Sequence, residues 1–176
     1  MTRQLTILTT GGTIEKTYDD LSGELSNRRS IVPRMLRRLR LEDTAVVVRE
    51  LMSKDSLHMT DEDRRAILLA VLDALGPDTA PSPTSGIVIL HGTDTLALTG
   101  DLLVNSIPRP RVPVILTGAM RPFEMTRSDA LQNLTEALFA AGTLAPGVYC
   151  VAHGRALPFP GVSKIRERGT FSRSAP

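Results

Sequence analysis

The chain has 176 residues, the length of one ordinary domain, and its 41% apolar and 23% charged residues suit a soluble protein with a sizeable core. Aromatics at 3%, with no Trp, exclude a stacking platform for single-stranded nucleic acid, and a net charge of +2 gives no general pull on acidic partners. No apolar run approaches the length of a bilayer crossing, and the start of the chain has no signal-peptide pattern, so the expectation is a cytoplasmic protein.

Residues 5–9 read as a short buried strand, followed by a glycine turn, Thr10-Gly11-Gly12-Thr13, that lets a ligand approach the backbone. Residues 15–30 are polar and lack periodicity. They read as a long loop, of the kind that serves as a lid, and they carry Tyr18. Pro33 opens a helix through Met35, Leu36 and Leu39, whose arginines (Arg34, Arg37, Arg38, Arg40) read as a solvated face. Residues 45–48 form the next strand and lead into a polar loop, 51–59, with Ser53, Asp55, Ser56 and His58. Thr60 caps a helix with Asp61, Glu62 and Asp63 in its first turn and Ile67, Leu68, Val71, Leu72 and Leu75 on one face.

A surface connection, 76–85, precedes the apolar strand 86–90, which feeds directly into His91-Gly92-Thr93-Asp94-Thr95. A helix over 96–107 ends at Pro108 and Pro110, and a strand follows at 112–116. Gly118-Ala119-Met120-Arg121-Pro122 is a third turn at a strand's end. A helix over 128–140, capped by Gly142, leads to a strand at 147–152 that holds the sole cysteine, Cys150, in an apolar run. After His153-Gly154 the pattern dissolves, and 157–176 reads as an arm or partly mobile tail. Strands alternating with helices imply a three-layer α/β fold: a mostly parallel, doubly wound (flavodoxin/Rossmann-like) sheet in a single domain, 1–155, with a C-terminal arm, 156–176.

Thr13 and Thr93 both sit on turns after buried strands. A threonine hydroxyl attacks a carbonyl only with help in losing its proton, and Tyr18, Asp94 and Lys164 are the candidate helpers. The amides of Gly11, Gly12 and Gly92 suit an oxyanion. From the residues alone two chemistries stay open: amide hydrolysis, and phosphate binding by a doubly wound fold. Asp94 also reads as a plain helix cap, and His91 as a packed, hydrogen-bonded side chain. His58, His91 and His153 are far apart and form no metal-binding pair, so no metal is expected.

The two threonine turns taken together resemble the paired signatures of bacterial-type L-asparaginases: Thr10-Gly11-Gly12-Thr13-Ile14 and His91-Gly92-Thr93-Asp94-Thr95. Asp55-Ser56 with Met59-Thr60, the turn from Gly118 to Pro122, and Ser128-Asp129 with Asn133-Leu134 and Ala137 resemble the family in the same order. The resemblance implies an amidohydrolase that needs no cofactor. Thr13 would be the nucleophile that forms an acyl-enzyme, and Tyr18 would assist its proton transfer. Thr93, Asp94 and Lys164, the lysine kept near neutral by burial and its neighbours, would form a second catalytic group. Ser56 and Asp94 would hold the substrate's α-carboxylate and α-amino groups, with backbone around Gly12, Gly92, Thr93 and Ala119 completing the pocket. Leu57 departs from the family, which usually has a polar side chain there.

The chain also stops where family members continue into a C-terminal domain, and so resembles the short, single-domain asparaginases. L-Asparagine is the expected substrate, with glutamine a poorer one, since one methylene is worth only about 1–3 kcal/mol to a pocket. A homo-oligomer, dimer or tetramer, is the implied assembly, with no nucleic-acid or membrane partner. Two other readings are an amidotransferase-type subunit, which predicts an added N-terminal domain and a partner protein, and a non-catalytic sensor of asparagine or aspartate.

Overall fold

A computed structural model describes residues 2–174, so the last two residues of the expected arm lie outside the described residues. In chain order it contains β1 (Arg3–Gly11), a hairpin of β2 (Thr17–Asp19) and β3 (Glu24–Ser26), and α1 (Val32–Leu36). Next come β4 (Thr44–Lys54), α2 (Asp61–Leu75), β5 (Gly86–Leu90), α3 (Leu96–Ser106) and β6 (Pro113–Thr117). The chain continues through α4 (Ala130–Thr143), β7 (Gly147–Ala152) and β8 (Arg155–Pro158) to a last hairpin of β9 (Val162–Ile165) and β10 (Thr170–Arg173).

One mixed sheet runs in the order β4-β1-β5-β6-β7-β8. The first five strands are parallel, and β8 returns antiparallel to β7. The chain steps from β1 out to β4, then crosses back to place β5 on the other side of β1. Strand order therefore reverses between β1 and β5, and ligands of such sheets bind beyond the carboxyl ends at that reversal. β1 pairs with β5 from Leu5↔Gly86 to Thr9↔Leu90, so the two glycine turns leave the sheet side by side.

Side-chain alternation makes the three layers. Leu5, Ile7, Val88, Leu90 and Ile115 pack with Val32 and Met35 of α1 and Leu134, Ala137 and Leu138 of α4. Their neighbours Leu8, Ile87, Ile89, Val114, Leu116 and Cys150 face Ile67 and Val71 of α2 and Leu96 and Leu103 of α3. The expected doubly wound α/β fold is the fold observed.

Several boundaries differ, each for a physical reason. The 15–30 loop is built around the β2–β3 hairpin, whose pairs Thr17↔Ser26, Tyr18↔Leu25 and Asp19↔Glu24 are largely solvated and leave no apolar alternation to read. β4 runs through half of the expected 51–59 loop; as an edge strand it exposes Arg49, Glu50 and Lys54, which disguises it. Gly142 lies inside α4 rather than capping it; the helix runs on to Thr143 and Leu144 is its cap. The helix opened by Pro33 ends at Leu36, short of Leu39.

Residues 155–173 differ most from expectation. β8 completes the main sheet, and the β9–β10 hairpin folds over α3, where the Phe159 ring lies against the bare backbone of Gly100. Phe159, Val162 and Phe171 belong to the α2–α3 core. The segment is an ordered part of the domain, and β8 spans the expected boundary at residue 156.

Candidate active site

Four strand ends meet at the β1–β5 reversal. A side chain at Gly12 would strike the Gly92 backbone, so the turns after β1 and β5 touch directly. Gly12 adopts φ 76°, in the region that favours glycine. On the other side of Gly92 sits Ser56, just past β4; a side chain at Gly92 would come within 2.5 Å of Ser56 Oγ. Gly118, after β6, is pressed in the same way against the His91 carbonyl. Small residues at these positions let four backbone turns share one place.

Thr13 begins a tight turn, Thr13–Glu15, and is half-buried. Its hydroxyl has no hydrogen-bond partner among the described residues. Ser56 is 1% exposed and its Oγ is likewise unpaired. A buried hydroxyl left without an acceptor suits a site that waits for one from outside, such as a carboxylate.

Thr93 and Asp94 do meet Lys164, brought over by β9. Lys164 Nζ donates to Thr93 Oγ1 at 2.7 Å and to Asp94 Oδ1 at 3.0 Å. Arg166, which follows β9, reaches the same Asp94 oxygen at 3.0 Å. Asp94 is therefore held by two cations and does not cap α3; that position is Thr95, whose hydroxyl donates to the Ser56 carbonyl at 2.9 Å instead.

Tyr18 is not brought to Thr13. It is 56% exposed on β2, and its hydroxyl lies by the hairpin tip, 3.9 Å from where a side chain at Gly23 would stand. The hairpin's base is tethered nonetheless. Lys16 pairs with Asp55 at 2.8 Å, and this hydrogen bond is the main cause that holds the Asp55 carboxyl below its ordinary value. Asn27 Nδ2 donates to the Gly12 carbonyl at 2.8 Å. Beside these tethers opens a groove of about 390 Å³, lined in part by Lys16, Asn27, Ser53 and His58. Leu57, beside Ser56, is 62% exposed.

Ala119 is buried on a turn gripped by Asp129. The Asp129 carboxylate accepts from the Met120 amide at 3.0 Å, the Arg121 amide at 3.0 Å and His153 Nε2 at 2.8 Å. Burial works to raise this carboxyl, but the bonds from Met120, His153 and Arg121 outweigh it and hold it below its ordinary value. Asn133 adds a bond to the Gly118 carbonyl at 2.9 Å.

His91 is fully buried, bonded to the Gly92 carbonyl and to Thr99 Oγ1, each at 2.8 Å, and burial lowers it to about 4. That is the packed role expected of it. Cys150 is buried, and burial pushes its thiol up to about 12. Among the described residues no group of three His, Cys, Asp or Glu is placed to hold a metal ion. Sequence reading passed over Asn27, Arg166 and Glu15, weighed His153 only as a metal ligand, and gave Asp129 no role of its own. Only Asp129 carried a signal, through the Ser128-Asp129 pair before a helix.

Comparison with known proteins bears on the family and the fold. Residues 4–173 match the family model described as Asparaginase, N-terminal. An L-asparaginase from Thermococcus kodakarensis is 32% identical over 166 residues, covering 94% of this chain and 49% of that protein. The solved structure of the thermostable L-asparaginase from that organism superposes with a TM-score of 0.83 over 97% of this chain and 51% of the other. L-asparaginase I from Vibrio cholerae superposes with a TM-score of 0.80 at 27% identity, covering 98% and 52%. A glutamyl-tRNA(Gln) amidotransferase subunit from Thermoplasma acidophilum is 32% identical over 150 residues, covering 80% of this chain and 33% of that protein. The chain thus spans between a third and a half of the length of these relatives.

Proposed function

The chain belongs to the asparaginase family, and from that membership we propose that it hydrolyses L-asparagine to L-aspartate and ammonia. The observation that carries the reading is Lys164 bonded to both Thr93 and Asp94, at the sheet end where Thr13 keeps an unpaired hydroxyl. Thr13 Oγ1 attacks the side-chain amide carbon, the C–N bond breaks, ammonia leaves with the threonine proton, and an aspartyl ester remains. Water then cleaves the ester, which frees aspartate and restores Thr13.

Each residue takes a share of this course. Tyr18 assists proton transfer at Thr13 once the hairpin closes, an inward movement that its present exposure requires. Thr93, Asp94 and Lys164 act as a second group; the 2.7 Å separation of Lys164 from Thr93 suits removal of a proton, through Thr93, from the attacking water. Ser56 Oγ donates to the substrate carboxylate, and Asp94 accepts from its ammonium. The backbone of Gly12, Gly92, Thr93 and Ala119 forms the walls and receives the developing oxyanion. Leu57 supplies no polar contact. The β9–β10 hairpin delivers Lys164. No cofactor enters the reaction, and glutamine is a weaker substrate. The protein works in the cytoplasm as a homo-oligomer, to which the exposed apolar side chains Leu69, Leu98 and Phe139 are suited.

The relation to amidotransferase subunits supports a second reading, in which ammonia passes to a partner protein. One experiment separates the readings: ammonia release from L-asparagine by each species that sedimentation resolves, with Thr13→Ala alongside. Turnover by an oligomer, lost at least a thousandfold in Thr13→Ala, is expected. The cost scale follows from removing a nucleophile, which leaves only the residual catalysis of roughly 10³–10⁴ that binding and oxyanion contacts give. Binding of asparagine or aspartate without turnover would leave a sensor or a partner-dependent subunit, and a fully active monomer would remove the oligomer.

A further inference from the structure

Glu15 is only 2% exposed, and it closes the turn that begins at Thr13. A carboxylate buried so far usually faces a cation; this one faces an amide and a hydroxyl. Its Oε2 accepts from the Gly11 N–H at 3.1 Å, at the end of β1. Its Oε1 accepts from Ser30 Oγ at 2.5 Å, at the far end of the hairpin segment. Ser30 Oγ accepts in turn from the Val32 N–H at 3.3 Å, the first residue of α1. One carboxylate therefore joins the strand before Thr13, the exit of the segment that carries Tyr18, and the helix beyond.

We propose that Glu15 is a positioning residue for Thr13: its ionised carboxylate latches the two ends of the hairpin segment, and uptake of a proton loosens the latch. The proposal rests on the reading of Thr13 as the nucleophile. Ionised, the carboxylate accepts from both donors with the strength that charge adds. Protonated, it carries a donor of its own. The Ser30 hydroxyl must then turn away or accept, and the Gly11 bond loses its charge assistance. The groups that act on Glu15 are the Gly11 amide from β1, the Ser30 hydroxyl from the segment and the Glu50 carboxylate from β4. Burial pushes the Glu15 carboxyl up to about 7, with Glu50 adding to the rise and the Ser30 and Gly11 bonds opposing it, so the latch changes state in the neutral range.

The test is an NMR titration of the full chain across the neutral range, with kcat and KM for L-asparagine measured on the same samples, for the wild type, Glu15→Gln and Ser30→Ala. In the wild type the Gly11 amide proton is expected to move downfield with a midpoint at about 7, and the Thr13 methyl to follow with the same midpoint. Both should be flat in Glu15→Gln. Over the same range kcat should rise with pH several-fold more than KM changes, and this limb should be absent in Glu15→Gln. Ser30→Ala keeps the titrating group but cuts one arm, so its Gly11 amide should still titrate while the Thr13 response shrinks. A Gly11 amide that does not titrate, that titrates unchanged in Glu15→Gln, or a Thr13 response undiminished in Ser30→Ala overturns the latch. If both resonances titrate as expected and no ammonia is released, the latch stands and the assigned reaction fails. If ammonia is released while Thr13 stays flat, the reaction stands and the latch fails.

Discussion

Two buried titratable side chains next to the site, Glu15 and His91, pull the stability of the molecule in opposite directions. Glu15 rises from 4.5 to about 7 on folding. Its contribution is fully present below pH 4.5 and is lost as pH rises through about 7, because the folded state holds the proton more tightly. His91 falls from 6.5 to about 4, so its contribution is fully present above pH 6.5 and is lost as pH falls through about 4. Each is worth roughly 3 kcal/mol, at about 1.4 kcal/mol for every tenfold change in proton affinity, and neither is solvent-screened. Between pH 4.5 and 6.5 the two slopes offset each other. Urea denaturation at fixed pH values should therefore give a flatter profile for the wild type than for Glu15→Gln, whose stability should climb with pH across that window under His91 alone. Parallel profiles would show that Glu15 does not titrate there. His91 is legible as a packed residue from its place after an apolar strand. Glu15 is not, because an acidic residue at the start of a polar stretch reads as solvated, and its contact with Ser30 is made only by the fold.

The C-terminal hairpin is the element that completes the site. It reaches Thr93 through Lys164, and what holds it is apolar: Phe159 on Gly100, with Val162 and Phe171 in the core beneath. Phe171→Ala should cost about 3–5 kcal/mol, the usual loss for emptying a buried aromatic position. It should also release the hairpin first. Hydrogen exchange would then show β9 and β10 losing protection ahead of β1 and β5, and asparagine turnover would fall with them. Uniform loss of protection across both sets of strands would mean that the hairpin is not a separable anchor. This element was the least legible in the sequence. Its strands are four residues each, set among Pro160, Gly161 and Gly169 and rich in charge, and Phe159 and Phe171 are buried by the α2–α3 core rather than by any local period. The helices α2, α3 and α4 and the strands β1, β5, β6 and β7 were legible, because buried parallel strands are continuous apolar runs and the helices between them repeat at 3.6 residues.

For the whole molecule, the strand order was closed to sequence reading, since it depends on which strands a crossover carries past its neighbours. Only the structure places the reversal between β1 and β5 and so brings two distant threonine turns into one site. The pairing of these turns in the sequence pointed to the family; their contact through Gly12, Gly92 and Ser56 is the physical reason for the pairing. For Tyr18 to serve Thr13 as proposed, the β2–β3 hairpin must move, since Tyr18 is 56% exposed. The most direct measurement is the location of the covalent intermediate. The chain is quenched in acid during turnover of L-asparagine, cleaved after lysine and arginine, and its peptides are weighed. The expected result is one aspartyl ester on the peptide Gln4–Lys16, which carries Thr13. An ester on the peptide that carries Thr93, or steady ammonia release with no ester on either, would contradict Thr13 as the nucleophile.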